Sequence, residues 1–537
     1  VSNLVNNNSF EYSNNPVAGW DISAETYSIM TEEPLNENNT NYLSVTVDGE
    51  GAVKNIGYTE FYNYKTYQVN SKKANTPDMT FKKNEIYQFT AYFRNIDYTG
   101  TITASLAAEG NTEKYQFNID HCAEWMPITL EIKSNVTADG ALQLDFEGTG
   151  SLYIDYVTLV PMSSYGYGSE EWQYVSLRSD LVKSIHTLSP SFIRFRAGEF
   201  DKSTNIEELG NWKNTIGPLE ARKQSFVHTS KHVFSVNSNS MGLYEYLLLC
   251  DDLDCLAIPV INCGIVTGNV SDYEKEKEKY KNGSVTEGEW QNYLDSISYR
   301  PETEEFEKYV QDILDLIEYA NGDESTVWGA KRVEDGHKDS FNLQYIAIGN
   351  SSYDELYWRN FDVIYNRVQE KYPEIKIITY IDGDTSPEKA EEIRLNANGI
   401  YNNLIVEDNA CVKGGKLFDR VESFDDYERS GVQVAVSSYS VNTTVGDTLT
   451  KNNIWSAVEN AAFLTGLEKN SDLVKMASYE TSFAKINAQS KDTSLVWFNS
   501  QGMVMTPDYY MQMLFANNVG TNYVSMEDEF DVDGVYR

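Results

Sequence analysis

The segment Phe341–Ile378 reads FNLQYIAIGNSSYDELYWRNFDVIYNRVQEKYPEIKII. Leu343–Ile348 is an apolar run of strand length. Tyr357, Phe361, Ile364 and Val368 then recur three and four apart, the spacing of one helix face. Tyr372-Pro373 stops that helix, because a proline ring disfavours helical backbone in the residue before it. Ile375–Ile381 is a second apolar run. Strand, helix and strand in one direction predict two parallel strands joined by a helical crossover.

The same alternation extends on both sides. Upstream, Leu243, Tyr246, Leu247, Cys250 and Leu253 share a helical face, and Leu256–Asn262 follows as a strand. Phe306, Val310, Ile313 and Ile317 form another face, closed at Asn321-Gly322. Downstream come strands at Leu404–Val406 and Val432–Val436, a helix at Ile454–Leu467 and a strand at Leu473–Met476. At this length the pattern predicts a (β/α)8 barrel over 162–478. With Phe192–Phe195 the strands number seven, so either one is hidden or the first lies upstream of Val1. Segment 271–305 is charged and without strand signals, which predicts a long surface loop. Residues 1–161 read differently. Alternating runs at Tyr42–Val47, Ile86–Phe93, Thr101–Ala107, Leu142–Phe146 and Leu152–Val160 predict a β-sandwich or jelly roll. Residues 479–537 turn β-like again, at Ser494–Asn499 and Gly520–Val524, a partial β-sandwich.

The 537 residues carry 43 basic and 81 acidic side chains, a net charge of −38. That balance argues against nucleic acid and against an anionic membrane surface as partner. No apolar run approaches the length of a membrane helix. Five cysteines without a C-x-x-C, and only five histidines, give no support for a metal or redox cofactor. A neutral partner is easier to reconcile with that charge, and a neutral plant or microbial polysaccharide is one such partner; aromatic residues make up 13%, which suits all-β packing as well as the covering of apolar sugar faces and does not choose between them.

Five segments carry a resemblance to one family. They are the stretch quoted above, NWKNTIGPLEAR at Asn211–Arg222, MGLYEYLLLCDDL at Met241–Leu253 with IPVINCG at Ile258–Gly264, AAFLTGLEKNSDLVKMASY at Ala461–Tyr479, and LVWFNSQGMVMTPDYYMQMLFANN at Leu495–Asn518. Together they resemble glycoside hydrolase family 51, the α-L-arabinofuranosidases. NLVNNNSFE at Asn3–Glu11 and LYIDYVTLVP at Leu152–Pro161 make residues 1–161 similar to a carbohydrate-binding module of family 4/9 type. The resemblance implies retaining hydrolysis by two carboxylates about 5–5.5 Å apart. It places the acid/base after Gly349-Asn350, where Ser351 stands, and the nucleophile before Tyr439, where Ser438 stands. A histidine of the family is replaced by Asn409, and a tight Pro-Gly turn by Arg196-Ala197. A serine hydroxyl neither protonates a leaving group near neutral pH nor attacks without an adjacent base.

Arg194, Trp212, Asn262, Asn350 and Tyr439 match positions that line the family's sugar pocket. Each also has a plain structural reading: an ion pair for Arg194, core packing for Trp212, a loop cap for Asn350. Glu407, Asp408 and Glu480 are carboxylates left near strand ends, read as solvated or salt-bridged. In the amino-terminal region Tyr58, Phe61, Tyr62, Tyr64 and Tyr67 cluster, and Trp125 stands alone; stacking on sugar competes there with core packing. The expectation is a secreted, extracellular or cell-surface pseudoenzyme without cofactor that binds a glycan or serves in a homo-oligomer or larger assembly. The alternative is an active α-L-arabinofuranosidase with relocated carboxylates.

Overall fold

A computed structural model describes residues 1–12, 15–58, 62–63, 68–69, 77–198, 206, 209–230, 233–266, 270–349, 354–381, 386–408, 417–441, 452–486 and 493–524. They fall into two units. One comprises 1–183, 214–241 and 498–503, the other 184–213, 242–497 and 504–537.

The first unit is an antiparallel β-sandwich. Two long strands, Tyr42–Asn55 and Ala138–Pro161, pair with each other from Leu43↔Ile154 to Asn55↔Leu142 and serve both of its layers. The first half of Ala138–Pro161 pairs with Thr99–Ala108, and the second half with Ile86–Asn95. The change of neighbour falls at Gly148 and Gly150. A Cβ on Gly148 would lie 2.3 Å from the Thr99 carbonyl oxygen. Gly150 has φ +114°, and a Cβ there would meet the Asp97 carbonyl oxygen at 2.5 Å. Only glycine lets the strands approach so closely at this bend. Strict alternation in Ile86–Asn95 sends Tyr87, Phe89, Ala91 and Phe93 inward, against Leu43, Val45, Ile102, Leu144 and Ile154.

The second unit is built on a seven-stranded parallel sheet whose strands neighbour one another in chain order. They are β1 (Phe192–Arg196), β2 (Leu256–Asn262), β3 (Tyr345–Gly349), β4 (Lys376–Ile381), β5 (Leu404–Asp408), β6 (Gln433–Tyr439) and β7 (Val474–Tyr479). Helices separate them: α1 (Leu243–Asp252), α2 (Val270–Lys281), α3 (Glu287–Ile297), α4 (Glu304–Asn321), α5 (Val327–Glu334), α6 (Asp354–Lys371), α7 (Pro387–Ala397) and α8 (Ile454–Lys469). This is the (β/α)-barrel architecture that the alternation predicts, with seven parallel strands among the described residues. Its interior floor is Ile258, Val260, Tyr345, Ala347, Ile378, Ile405, Ala435 and Met476, with Phe192 packed against them. Helix α4 shows why the outer ring forms. Thr303 Oγ1 accepts the Phe306 N–H at 3.3 Å as an N-cap, and Phe306, Val310, Ile313, Leu314 and Ile317 are buried.

Two expectations are corrected. Segment 271–305 is not a loop but the helical hairpin α2–α3. Its apolar spacing, Trp290-Leu294-Ile297, is short and hidden among charges, yet all three residues are buried. Ring stacking of Trp290 on Tyr280, at 5.4 Å, joins the two helices. A capping box between Thr286 and Glu289 starts the second helix. In the carboxy-terminal segment, strands Phe483–Lys485, Val496–Phe498 and Met503–Met505 form a small sheet, but Pro507–Asn517 is a helix, α9. Thr506 caps it and Pro507 occupies its first turn, where the missing N–H costs nothing. Residues 520–524 form no strand; Val524 is 77% exposed and has no partner strand among the described residues.

Candidate active site

The alternation of each strand carries the barrel floor upward into the next layer. Two residues beyond Phe192 comes Arg194, and two beyond Ile405 comes Glu407, on the same faces. Arg194 Nη2 lies 3.0 Å from Glu407 Oε2, with side-chain exposures of 28% and 3%. β1 and β5 are not neighbours in the sheet, so this ion pair bridges strands across the interior. Two residues beyond Ala347 comes Gly349. A Cβ there would sit 3.0 Å from Cβ of Tyr380, so glycine makes room for that ring. Asn262, two beyond Val260, uses both ends of its amide locally. Its Nδ2 donates to the Ile265 carbonyl at 2.9 Å and its Oδ1 accepts the Ile265 N–H at 2.8 Å.

β6 and β7 run out of register between Val436 and Tyr439, and Ser438 lies in that irregular stretch. Its hydroxyl donates to the Glu480 carboxylate just past β7. The Glu480 N–H donates to the Tyr439 carbonyl at 3.1 Å, which holds the two strand ends together. Tyr439 is 1% exposed; its hydroxyl accepts from Gln512, and burial pushes its pKa up. Asp408 points away from the interior layer, is 2% exposed and accepts the Tyr427 hydroxyl at 2.9 Å.

Trp212 takes a packing place. It is 4% exposed, stands edge-on to Trp328 at 5.1 Å, and its indole N–H donates to the Asp312 carbonyl at 2.7 Å. Asn350, Ser351 and Asn409 lie outside the described residues, so Ser438 is the described member of the two serine positions. In the sandwich unit, Tyr58 is 42% exposed. Tyr62 belongs to a two-residue ladder with Val69, while Phe61, Tyr64 and Tyr67 lie outside the described residues. Trp125 is half-buried, edge-on to Tyr42 at 5.1 Å, and its indole N–H donates to the Glu33 carbonyl at 3.2 Å.

Among the described residues no group of three His, Cys, Asp or Glu side chains could hold a metal ion. One pair, His228 and His232, stands at H-x-x-x-H spacing; His228 belongs to the strand Ser225–Ser230, and His232 lies outside the described residues.

Arg194 and Glu407 are each visible in the sequence, but their pairing is not read there. A signal for it exists: each stands two residues beyond an interior apolar position on its strand. Sequence reasoning also missed Asp508, buried at the start of α9, which accepts from Ser456 at 2.9 Å and Asn460 at 2.8 Å. That carboxylate ties α9 to α8 and is structural.

Two family profiles match in order, the α-L-arabinofuranosidase 1 domain over 184–429 and the α-L-arabinofuranosidase carboxy-terminal domain over 435–533. The chain is a relative of the α-L-arabinofuranosidases. Alpha-L-arabinofuranosidase 1 of Arabidopsis thaliana is 29% identical over 83% of this chain and 59% of its own length. The extracellular exo-alpha-L-arabinofuranosidase of Streptomyces chartreusis is 27% identical over 97% of this chain and 58% of its own length. The chain thus spans under three fifths of these relatives. An arabinose-bound family 51 α-L-arabinofuranosidase has the same fold, with a TM-score of 0.76 at 18% identity over 97% of this chain and 78% of that one.

Proposed function

We propose that this protein is a catalytically silent relative of the α-L-arabinofuranosidases that works outside the cell by binding an arabinose-containing polysaccharide. The observation that carries the reading is Ser438. A hydroxyl occupies the strand end where the resemblance implies a nucleophilic carboxylate, and it is engaged with Glu480. The carboxylate of the interior layer, Glu407, is committed to Arg194 at 3.0 Å. That ion pair occupies Oε2 of the carboxylate. With Ser351 at the other position, neither half of a retaining mechanism has its group.

The sandwich unit, with its exposed Tyr58, is the proposed site of glycan contact. The reading is tested by titrating the whole chain with arabinoxylan and arabinan by calorimetry while released sugar is assayed in the same solution. Binding without release supports it, and a Tyr58→Ala variant should bind more weakly. Absence of binding to either polymer removes the glycan role.

One observation favours the alternative of relocated carboxylates. Glu407 and Glu480 both stand at carboxy-terminal strand ends, where barrel enzymes place their chemistry. Arabinose release abolished by Glu480→Gln would establish it.

A further inference from the structure

Helix α1 ends in a Schellman turn. Leu253 is the C-cap, with φ −94° and ψ 0°. Asp254 follows in the left-handed region at φ 51°. The Cys255 N–H donates to the Cys250 carbonyl at 3.0 Å, and the Asp254 N–H to the Asp251 carbonyl at 3.0 Å. These are the two bonds that define the motif. Its geometry also brings the side chains of the third residue before the cap and the second after it into contact, a place usually held by two apolar groups. Here both are cysteines, so the turn itself sets the two side chains side by side.

We propose that Cys250 and Cys255 form a dithiol site that a small-molecule disulfide oxidises to an intramolecular disulfide, clipping the end of α1 to the start of β2. The two thiols differ in the way a stepwise exchange requires. Cys255 is partly exposed, whereas Cys250 is 1% exposed. The neighbouring thiol lowers the pKa of Cys255 and raises that of Cys250, which burial raises further. The thiolate is the attacking species, so Cys255 is the entry point. Its thiolate attacks one sulfur of the external disulfide, forms the mixed disulfide and releases one thiolate. Cys250 then gives up its proton to solvent and attacks the Cys255 sulfur, which releases the second thiolate. Two protein thiols are oxidised, one external disulfide is reduced to two thiols, and no other reactant is needed.

The other described cysteines have different surroundings. Cys263 is 0% exposed and its thiol donates to the Tyr357 carbonyl at 3.4 Å. Cys122 accepts the Asn95 N–H at 3.3 Å, in the other unit.

The test uses the whole chain, equilibrated with glutathione buffers of increasing oxidised fraction, acid-quenched, alkylated under denaturing conditions and analysed by mass spectrometry. Cleavage on the amino side of aspartate, at Asp251, Asp252 and Asp254, separates the two cysteines. The expected product is a linked pair of peptides, two hydrogens lighter than their sum, holding Cys250 and Cys255 and lost on reduction. Cys255→Ser, which leaves the buried Cys250 in place, should abolish the linked pair and leave Cys250 alkylatable. A mixed glutathione disulfide that stops at Cys255, or a link from Cys255 to Cys263 instead, would overturn the proposal. So would full alkylation of both residues in the most oxidising buffer.

Discussion

Removing Arg194 takes the cation from a buried carboxylate. The Glu407 side chain is 3% exposed, and Arg194 Nη2 lies 3.0 Å from it. Breaking a buried pair on one side costs about 3–5 kcal/mol, and partial exposure of the arginine puts this case at the lower end. Arg194→Met should therefore destabilise the barrel unit by about 3 kcal/mol in urea, and Arg194→Met with Glu407→Gln should recover most of that loss. Asp155 poses the opposite problem in the sandwich. It is 0% exposed, its Oδ1 accepts the Tyr156 N–H at 2.7 Å, and Oδ2 is unsatisfied. Burial, with the nearby Glu11 charge adding to it, holds its pKa well above the ordinary carboxylate range. In the unfolded chain the group ionises near pH 4. Its contribution to stability is thus full below about pH 4 and is lost as pH rises through the folded-state pKa. Asp155→Asn should raise hydrogen-exchange protection in the strand Ala138–Pro161 at pH 8 more than at pH 4. Restoring both carboxylates, Ser351→Glu with Ser438→Glu, should not restore hydrolysis. The carboxylate introduced at position 438 would meet that of Glu480, which now accepts from Ser438, and adjacent like charges push one pKa up. A gain above about 10³-fold on an aryl arabinofuranoside would show that the rest of the pocket is intact.

At the scale of elements, the bend in Ala138–Pro161 is the most exacting feature. Gly150→Ala adds a Cβ 2.5 Å from a backbone oxygen at φ +114°, and backbone cannot yield as a flexible side chain can. Strain of about 1–3 kcal/mol plus the clash should expose the sandwich to protease at temperatures where the parent chain resists. Thr286→Ala, by contrast, removes one cap and should cost about 1 kcal/mol, read as faster exchange confined to α3. Strands and helices with long periodic faces, such as α4 and α6, were legible because their spacing survives over several turns. The hairpin α2–α3 was not. Its first helix carries Lys–Asp and Lys–Glu pairs three apart, at 2.9 and 2.6 Å, and the hairpin buries few residues, so charge dominates the reading. Leu142–Phe146 and Leu152–Val160 read as two separate runs, because a glycine bend inside one strand and a turn between two share the same residues. The spacing along each strand points Arg194 and Glu407 to the interior, but their pairing also depends on which strands face each other across the barrel, which no local pattern encodes.

For the whole molecule, the alternation of strands and helices dictated the barrel, and the interior layer decides what the barrel can do. The fold is shared with enzymes, but function lies in the site and not in the scaffold. Here the strand ends carry Ser438, Glu480, and the Arg194–Glu407 bridge. Such a barrel should no longer hydrolyse arabinofuranosides. The decisive quantity is the turnover of an aryl α-L-arabinofuranoside by the intact chain, under conditions in which an active family member is measured in parallel. Release no faster than in a buffer blank is expected. A kcat in the ordinary enzyme range of about 1–10³ s⁻¹ would contradict it.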